Sequence, residues 1–323
     1  MTLVIHQYAY GGPETLTVED ETVGDPGPGE VRLRQHAVGV NFIDLAFRSG
    51  QIPGPGFPST LGVEGAGEVV AVGPDVTGFA PGDRVSYTLA PGAYAEERIV
   101  PAAVLVHLPD DVSFEVAAAI TTKGLLAGAL VDRVAPVGEG DIALVQAAAG
   151  GSGSLIARWA KARGAMVIGT VGSADKAAAA RESGADPVLV LDSGDDLAAE
   201  VSRITRGRGV DAVYDGVGAV TADLSLRAVA DGGSIAMFGT ASGPATPDEQ
   251  TVARKRVRVS TPDLGTVVPD PAERQAIADE LFGLLSTGRI PAPRLTTYPL
   301  KETAQAHRDL ESRRSTGSLV LVV

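Results

Sequence analysis

The chain has no cysteine among its 323 residues, and that single absence removes disulfides, thiolate–metal sites and a cysteine nucleophile together. Aromatic residues make up only 4%, and there are four histidines. These, His6, His36, His107 and His307, lie scattered without ligand spacing, so each is expected to be structural and no metal is expected. Basic residues are scarce too: 27 Lys and Arg against 40 Asp and Glu give a formal net charge of −13, which disfavours nucleic acid and anionic membranes as partners. No basic segment leads into a long apolar run at the N-terminus, and no uninterrupted apolar stretch approaches the ~20 residues of a membrane span. A cytoplasmic location is therefore expected.

What is present is 44% hydrophobic and 21% charged, the balance of a globular chain long enough for two lobes. The first third alternates short Val-rich runs (TLTVEDETV, GEVRLRQHAVGVNF, GAGEVVAVG, GDRVSYTLA) with Pro/Gly clusters, which predicts a compact β-rich unit. From about Phe114 the texture turns to alanine-rich helix, which reads as a bridge between the lobes. After Asp141, apolar strands IALVQ, MVIGTV, PVLVL, VDAVYDG and SIAMFG alternate with helices, which predicts a parallel sheet covered on both faces. The tail beyond Pro262 offers a helix and a final strand. The fold class is thus α/β, with residues 1–122 as a β-rich unit, 123–260 as a doubly wound nucleotide-binding domain, and 261–323 returning to the first unit.

The segment QAAAGGSGS, residues 146–154, places small residues at the first strand-to-helix turn, where side chains would hold backbone N–H groups away from a pyrophosphate. The spacing is A-x-G-x-x-G, with Ala148, Gly150 and Gly153; such a turn also serves tight packing alone. The second strand ends in TVGSADK without a carboxylate at the strand end to accept from a ribose 2′-hydroxyl. Ser173 can donate to a 2′-phosphate and Lys176 can place a charge beside it, so NADPH is the expected cofactor. The alternative for Lys176 is a solvated helix lysine, and Asp175 between the two is read as an exposed first-turn acid.

The motifs GVNFIDLAFRSG, LGVEGAGEVVAVG, GAYAEERIVPA, TKGLLAG, QAAAGGSGSLIARWAKARG, GVDAVYDGVG, MFGTASGP and AQAHRDLESRRSTGSLVL, in that order, cover the chain end to end. With them the chain resembles the zinc-free medium-chain dehydrogenases/reductases, specifically the NADPH:quinone oxidoreductase (zeta-crystallin-like) group. The resemblance implies a GroES-like catalytic domain, a Rossmann domain and a homodimer. It implies Asn41 and Phe42 beside the nicotinamide, with Asn41 polarising the acceptor carbonyl, and Gly150, Gly151, Ser152 and Gly153 at the pyrophosphate. Ser173 and Lys176 fall at the 2′-phosphate, Gly239 and Thr240 at the nicotinamide amide, and Arg313 reaches in from the tail. Where zinc-dependent relatives carry Gly-His-Glu, this chain has Gly62-Val63-Glu64.

Relatives of this type carry tyrosines at the positions of Ala46, Ile52, Ala129 and Leu191, and this chain has none of the four. If that space stays open, Ala46, Ile52 and Ala129 line a wider, more apolar substrate pocket that suits a bulky or polycyclic quinone; if loops such as GPGFPS refill it, they do not. Reduction of an enone C=C bond is the alternative activity, and NADPH binding without turnover the second. Tyr87, Tyr94 and Ser242 are the hydroxyls considered as proton donors, each with a structural alternative.

Overall fold

Short Val-rich runs punctuated by Pro and Gly can bury only one face each, and the first unit stacks them into sheets. The structure, a computed structural model, describes residues 1–323 except 55, 194, 195 and 313–316. It divides into two compact units, Met1–Thr122 with Asp270–Val323, and Lys123–Pro269. The chain returns to the first unit at Asp270 rather than at 261, because the short helix Leu264–Val267 belongs to the second.

In the first unit the strand Glu30–Val40 organises a seven-stranded sheet, pairing antiparallel with Gly65–Val72, Glu97–Pro101 and the C-terminal strand Ser318–Val322. The last pairing sets Leu319 opposite Val40 and Val322 opposite Ala37, so the tail completes this unit. Val31, Leu33, Val38, Val69, Val85 and Leu321 are buried at its core, each contributing roughly 1.5–3 kcal/mol. Where the long strand ends, Asn41 begins the helix Phe42–Ser49, and Gly50 ends it at φ 80°. A Cβ at Gly50 would strike the Tyr10 ring as well as strain the backbone.

The second unit is a six-stranded parallel sheet. From edge to edge it runs Val188–Val190, Met166–Val171, Ile142–Val145, Val210–Asp215, Val229–Met237 and Arg258–Ser260. Leu144, Ile168, Val201, Val213, Leu226 and Ile235 form its apolar core. Chain order reverses between Ile142–Val145 and Val210–Asp215, the switch point beyond whose strand ends open parallel sheets bind ligands. The sixth strand escapes a sequence reading because it is three residues long, begins with an exposed arginine and pairs with one neighbour only.

The helix Phe114–Ala129, continued by a π-helical turn to Val134, is long and apolar enough to cross a bilayer. Yet 67% of its most apolar window is buried inside the protein, as in the core helix of a globular unit.

Candidate active site

At the switch point Ala147 adopts φ 54°, and the turn it makes delivers Gly150 as the N-cap of the helix Gly151–Ala162. The three glycines are small for different reasons. A Cβ on Gly153 would collide with the Ala147 carbonyl oxygen, so this glycine lets the helix start against the turn. Gly150 and Gly151 are exposed, and a Cβ on Gly151 would lie 3.1 Å from Cδ of Lys123. The N–H groups of Gly151, Ser152 and Gly153 belong to the first helical turn, which has no intrahelical acceptors, and bare glycines leave them open to an anion. An orphaned set of donors in a cradle that side chains would fill fits the diphosphate of a dinucleotide. Lys123, whose aliphatic stem crosses Gly151, is a neighbour of this turn that the motif spacing does not reveal.

Beyond the strand Met166–Val171, Ser173 is half-buried, and Asp175 and Lys176 are exposed in the turn Ala174–Lys176. The Ser173 hydroxyl donates to Asp175, and with the charge of Lys176 it holds that carboxyl below the usual carboxylate range. Ser173 and Lys176 therefore flank the same short turn, with an ionised carboxylate between them. Gly239 and Thr240 follow the strand Val229–Met237 in a loop whose backbone docks on the turn after Asp215, Ser242 N–H donating to Val217 O at 2.8 Å and Ala219 N–H to Gly243 O at 3.0 Å. The Ser242 hydroxyl also donates to Val217 O and accepts from Val220 N–H, so it belongs to that backbone contact. Arg313 lies outside the described residues.

In the first unit Asn41 is fixed from two sides. Its backbone N–H donates to Asp44 Oδ2 at 2.8 Å, and its side-chain Nδ2 donates to Glu64 Oε2 at 2.9 Å. Glu64 is fully buried and accepts at its other oxygen from Thr122 N–H at 2.7 Å. A buried carboxylate needs such partners, and here they set the amide plane of Asn41. Phe42, next along, is 60% exposed.

Behind Asn41 a buried chain continues. Tyr94 Oη donates to Asp44 Oδ2 at 3.0 Å and lies 2.8 Å from His307 Nε2, while an Arg48 N–H lies 3.0 Å from His307 Nδ1. Arginine only donates, so Nδ1 accepts, Nε2 carries the proton, and it points at Tyr94. Arg48 also pairs with Glu311. Burial first, then Asp44, pushes the Tyr94 hydroxyl well above its ordinary pKa. Tyr87 is likewise fully buried, bonded to Gln35 and Arg98, and its pKa is raised chiefly by desolvation. Both hydroxyls are buried structural groups and unsuited to proton donation.

A small, nearly nonpolar pocket, about 30 Å³ of water-accessible space, is walled in this unit by Tyr10, Phe47, Phe57, Leu61, Val63 and Pro91. Tyr10 and Phe57 meet edge to face with centroids 4.9 Å apart. Ala46 and Ile52 are brought together by an Ile52 N–H to Ala46 O bond of 3.2 Å but do not line this pocket. Ala129 is fully buried within its helix and offers no surface to a substrate. Among the described residues no group of three or more His, Cys, Asp or Glu could hold a metal ion.

A β unit closed by its own C-terminal strand, joined to a parallel nucleotide-binding sheet, is the architecture of the medium-chain dehydrogenases/reductases. Residues 27–110 match the alcohol dehydrogenase GroES-like domain and residues 151–282 the zinc-binding dehydrogenase family. A quinone oxidoreductase of Pseudomonas aeruginosa is 45% identical over 317 residues, 97% of each chain. A 2-haloacrylate reductase of a Burkholderia species is 39% identical, covering 100% of this chain and 98% of its own. The crystal structure of Escherichia coli quinone oxidoreductase complexed with NADPH superposes with a TM-score of 0.92 at 37% identity, covering 99% of this chain and 100% of the other. The chain belongs to the zinc-free quinone oxidoreductase group of the medium-chain dehydrogenases/reductases.

Proposed function

We propose that this enzyme is an NADPH-dependent reductase that delivers hydride to quinones. The observation that carries the reading is the pairing of an anion-ready glycine turn at 150–153 with Ser173 and Lys176 at the end of the next strand. The relative from Escherichia coli, solved with NADPH, supports it.

NADPH supplies the hydride when bound; the chain binds, orients and shields. Backbone N–H groups of Gly151, Ser152 and Gly153 take the diphosphate, Ser173 and Lys176 the 2′-phosphate, and Gly239 and Thr240 the carboxamide end. Asn41 commits one amide hydrogen to Glu64 and offers the second to the acceptor carbonyl, whose oxygen gains charge as hydride arrives. The proton that completes the hydroquinone comes from solvent, since neither buried tyrosine nor Ser242 is placed to give it. Proximity and orientation can supply a large part of the barrier reduction, so the chain needs no strong acid.

The small apolar pocket under Tyr10 and Phe57 supports an apolar acceptor, and the presence of Phe57 from the GPGFPS loop in its wall supports the loop-filled reading, in which a bulky acceptor is not favoured. Reduction of an activated C=C bond is the second reading, favoured by the 2-haloacrylate reductase relative. Steady-state turnover with a naphthoquinone, a benzoquinone and an enone tests the choice. The proposal expects a quinone to have the highest kcat/KM; an enone at least tenfold better reassigns the activity, and NADPH binding without oxidation of any acceptor leaves a binding protein. The homodimer implied by the resemblance is read by sedimentation velocity.

A further inference from the structure

The structure assigns to Asp215 the role of a positioning residue that holds the nicotinamide-end loop 238–243 in register with the diphosphate turn 147–153. The inference rests on the placement of the dinucleotide across the switch point.

Asp215 ends the strand Val210–Asp215 and is fully buried. Its Oδ1 accepts from Val217 N–H at 2.9 Å, Gly218 N–H at 3.0 Å and Thr221 Oγ1 at 2.8 Å, while Oδ2 accepts from Ser225 Oγ at 2.7 Å. The carboxylate thus shapes the turn 216–221 from inside. That turn meets the loop 238–243 backbone to backbone. Cβ atoms at Gly218 and Gly239 would collide with Gly243 O and Gly216 O respectively, so nothing but main chain separates the two. Phe238 N–H donates to the Asp215 carbonyl at 2.9 Å. Where the carboxylate sets the turn, it sets the loop.

The same group reaches the other end of the site. Ser225 Oγ, donating to Asp215, accepts from Gln146 Nε2 at 3.0 Å; Gln146 Oε1 accepts from Thr170 Oγ1 at 2.6 Å; Thr170 Oγ1 accepts from Ala147 N–H at 3.3 Å. Gln146, Thr170 and Ser225 are all buried. The chain of bonds crosses three adjacent strands at their C-terminal ends and finishes on the residue whose left-handed backbone opens the glycine turn. Water does not reach these groups to replace a lost partner, so a break at any link leaves a buried polar group short of a bond. Ser173 and Lys176 lie outside the chain, which makes the two halves of the cofactor separable.

Asp215→Asn keeps the shape and replaces an oxygen that accepts with a nitrogen that donates. Calorimetric titration with NADPH and with adenosine 2′,5′-bisphosphate reads the two halves. The expected result is at least a tenfold rise in Kd for NADPH with the bisphosphate within twofold of wild type. Equal loss for both ligands, or no loss for either, overturns the assignment. Ser225→Ala, which keeps the bonds of Val217, Gly218 and Thr221 to Asp215 and removes those of Ser225 to Asp215 and to Gln146, is the variant if Asp215→Asn does not fold. It is expected to weaken NADPH three- to tenfold with the bisphosphate unchanged; an unchanged NADPH Kd contradicts the coupling. Failure of the site placement is distinguished by the wild type itself, which would then bind NADPH no more tightly than the bisphosphate.

Discussion

The Ser173 hydroxyl has two claimants, the Asp175 carboxylate that it already meets and the 2′-phosphate proposed for it. An ionised acid beside a phosphate repels it, most strongly at low ionic strength. Asp175→Asn is therefore expected to tighten NADPH severalfold by titration calorimetry while leaving NADH unchanged. Lys176→Ala should raise the NADPH Kd by ~10–100-fold, the worth of a charge-assisted contact. Glu64 makes a different prediction. Glu64→Gln replaces one accepting oxygen with an amide donor facing a donor on Asn41 or Thr122, so kcat should fall at least tenfold while NADPH affinity stays within twofold. Equal changes in kcat and Kd would instead mark Glu64 as generally structural. This residue was hidden in the sequence, where Gly-Val-Glu is informative chiefly for the missing histidine. The signal was a carboxylate in an otherwise apolar stretch, which must find donors wherever the fold puts it.

The helix Thr303–Glu311 carries His307 into the core of the first unit against the helix Phe42–Ser49. Burial, and secondarily the Arg48 charge, push His307 down to about 3 from 6.5. Between those values the unfolded chain binds a proton that the folded chain refuses. Its contribution is fully present above pH ~6.5 and is lost as pH falls toward 3, by about 1.4 kcal/mol per pH unit. Urea unfolding at pH 7.5, 6 and 5 should show this slope, and His307→Gln, which can still accept from Arg48 and donate to Tyr94, should flatten it. An unchanged slope would mean that His307 is not the group responsible. The helix itself was visible in AQAHRDLE, but its partner was not, because Arg48 and His307 are joined only by the fold. The glycine turn was the opposite case: Gly153 excludes a side chain by direct contact with Ala147, so its spacing announced its place. Gly153→Ala should cost NADPH binding at least tenfold.

Across the whole molecule the two units hold different parts of the proposed site, an oriented amide and an apolar pocket in the first, and in the second the sheet end proposed for the cofactor phosphates. Strand alternation and glycine spacing make both units legible in the sequence, since period and turn chemistry are local. The polar chain from Asp215 to Ala147 was not, because its members lie far apart in sequence and only strand order brings them together. Because Ala46 does not line the apolar pocket, Ala46→Tyr should change kcat/KM for a naphthoquinone and a benzoquinone equally; a larger loss for the naphthoquinone would place Ala46 against the acceptor. The central claim is that a hydroxyl and an ammonium beside a bare turn select the phosphorylated dinucleotide. Titration of wild-type protein with NADPH and NADH under one buffer tests it most directly. The account predicts at least tenfold tighter binding of NADPH, and equal affinity for the two would contradict it.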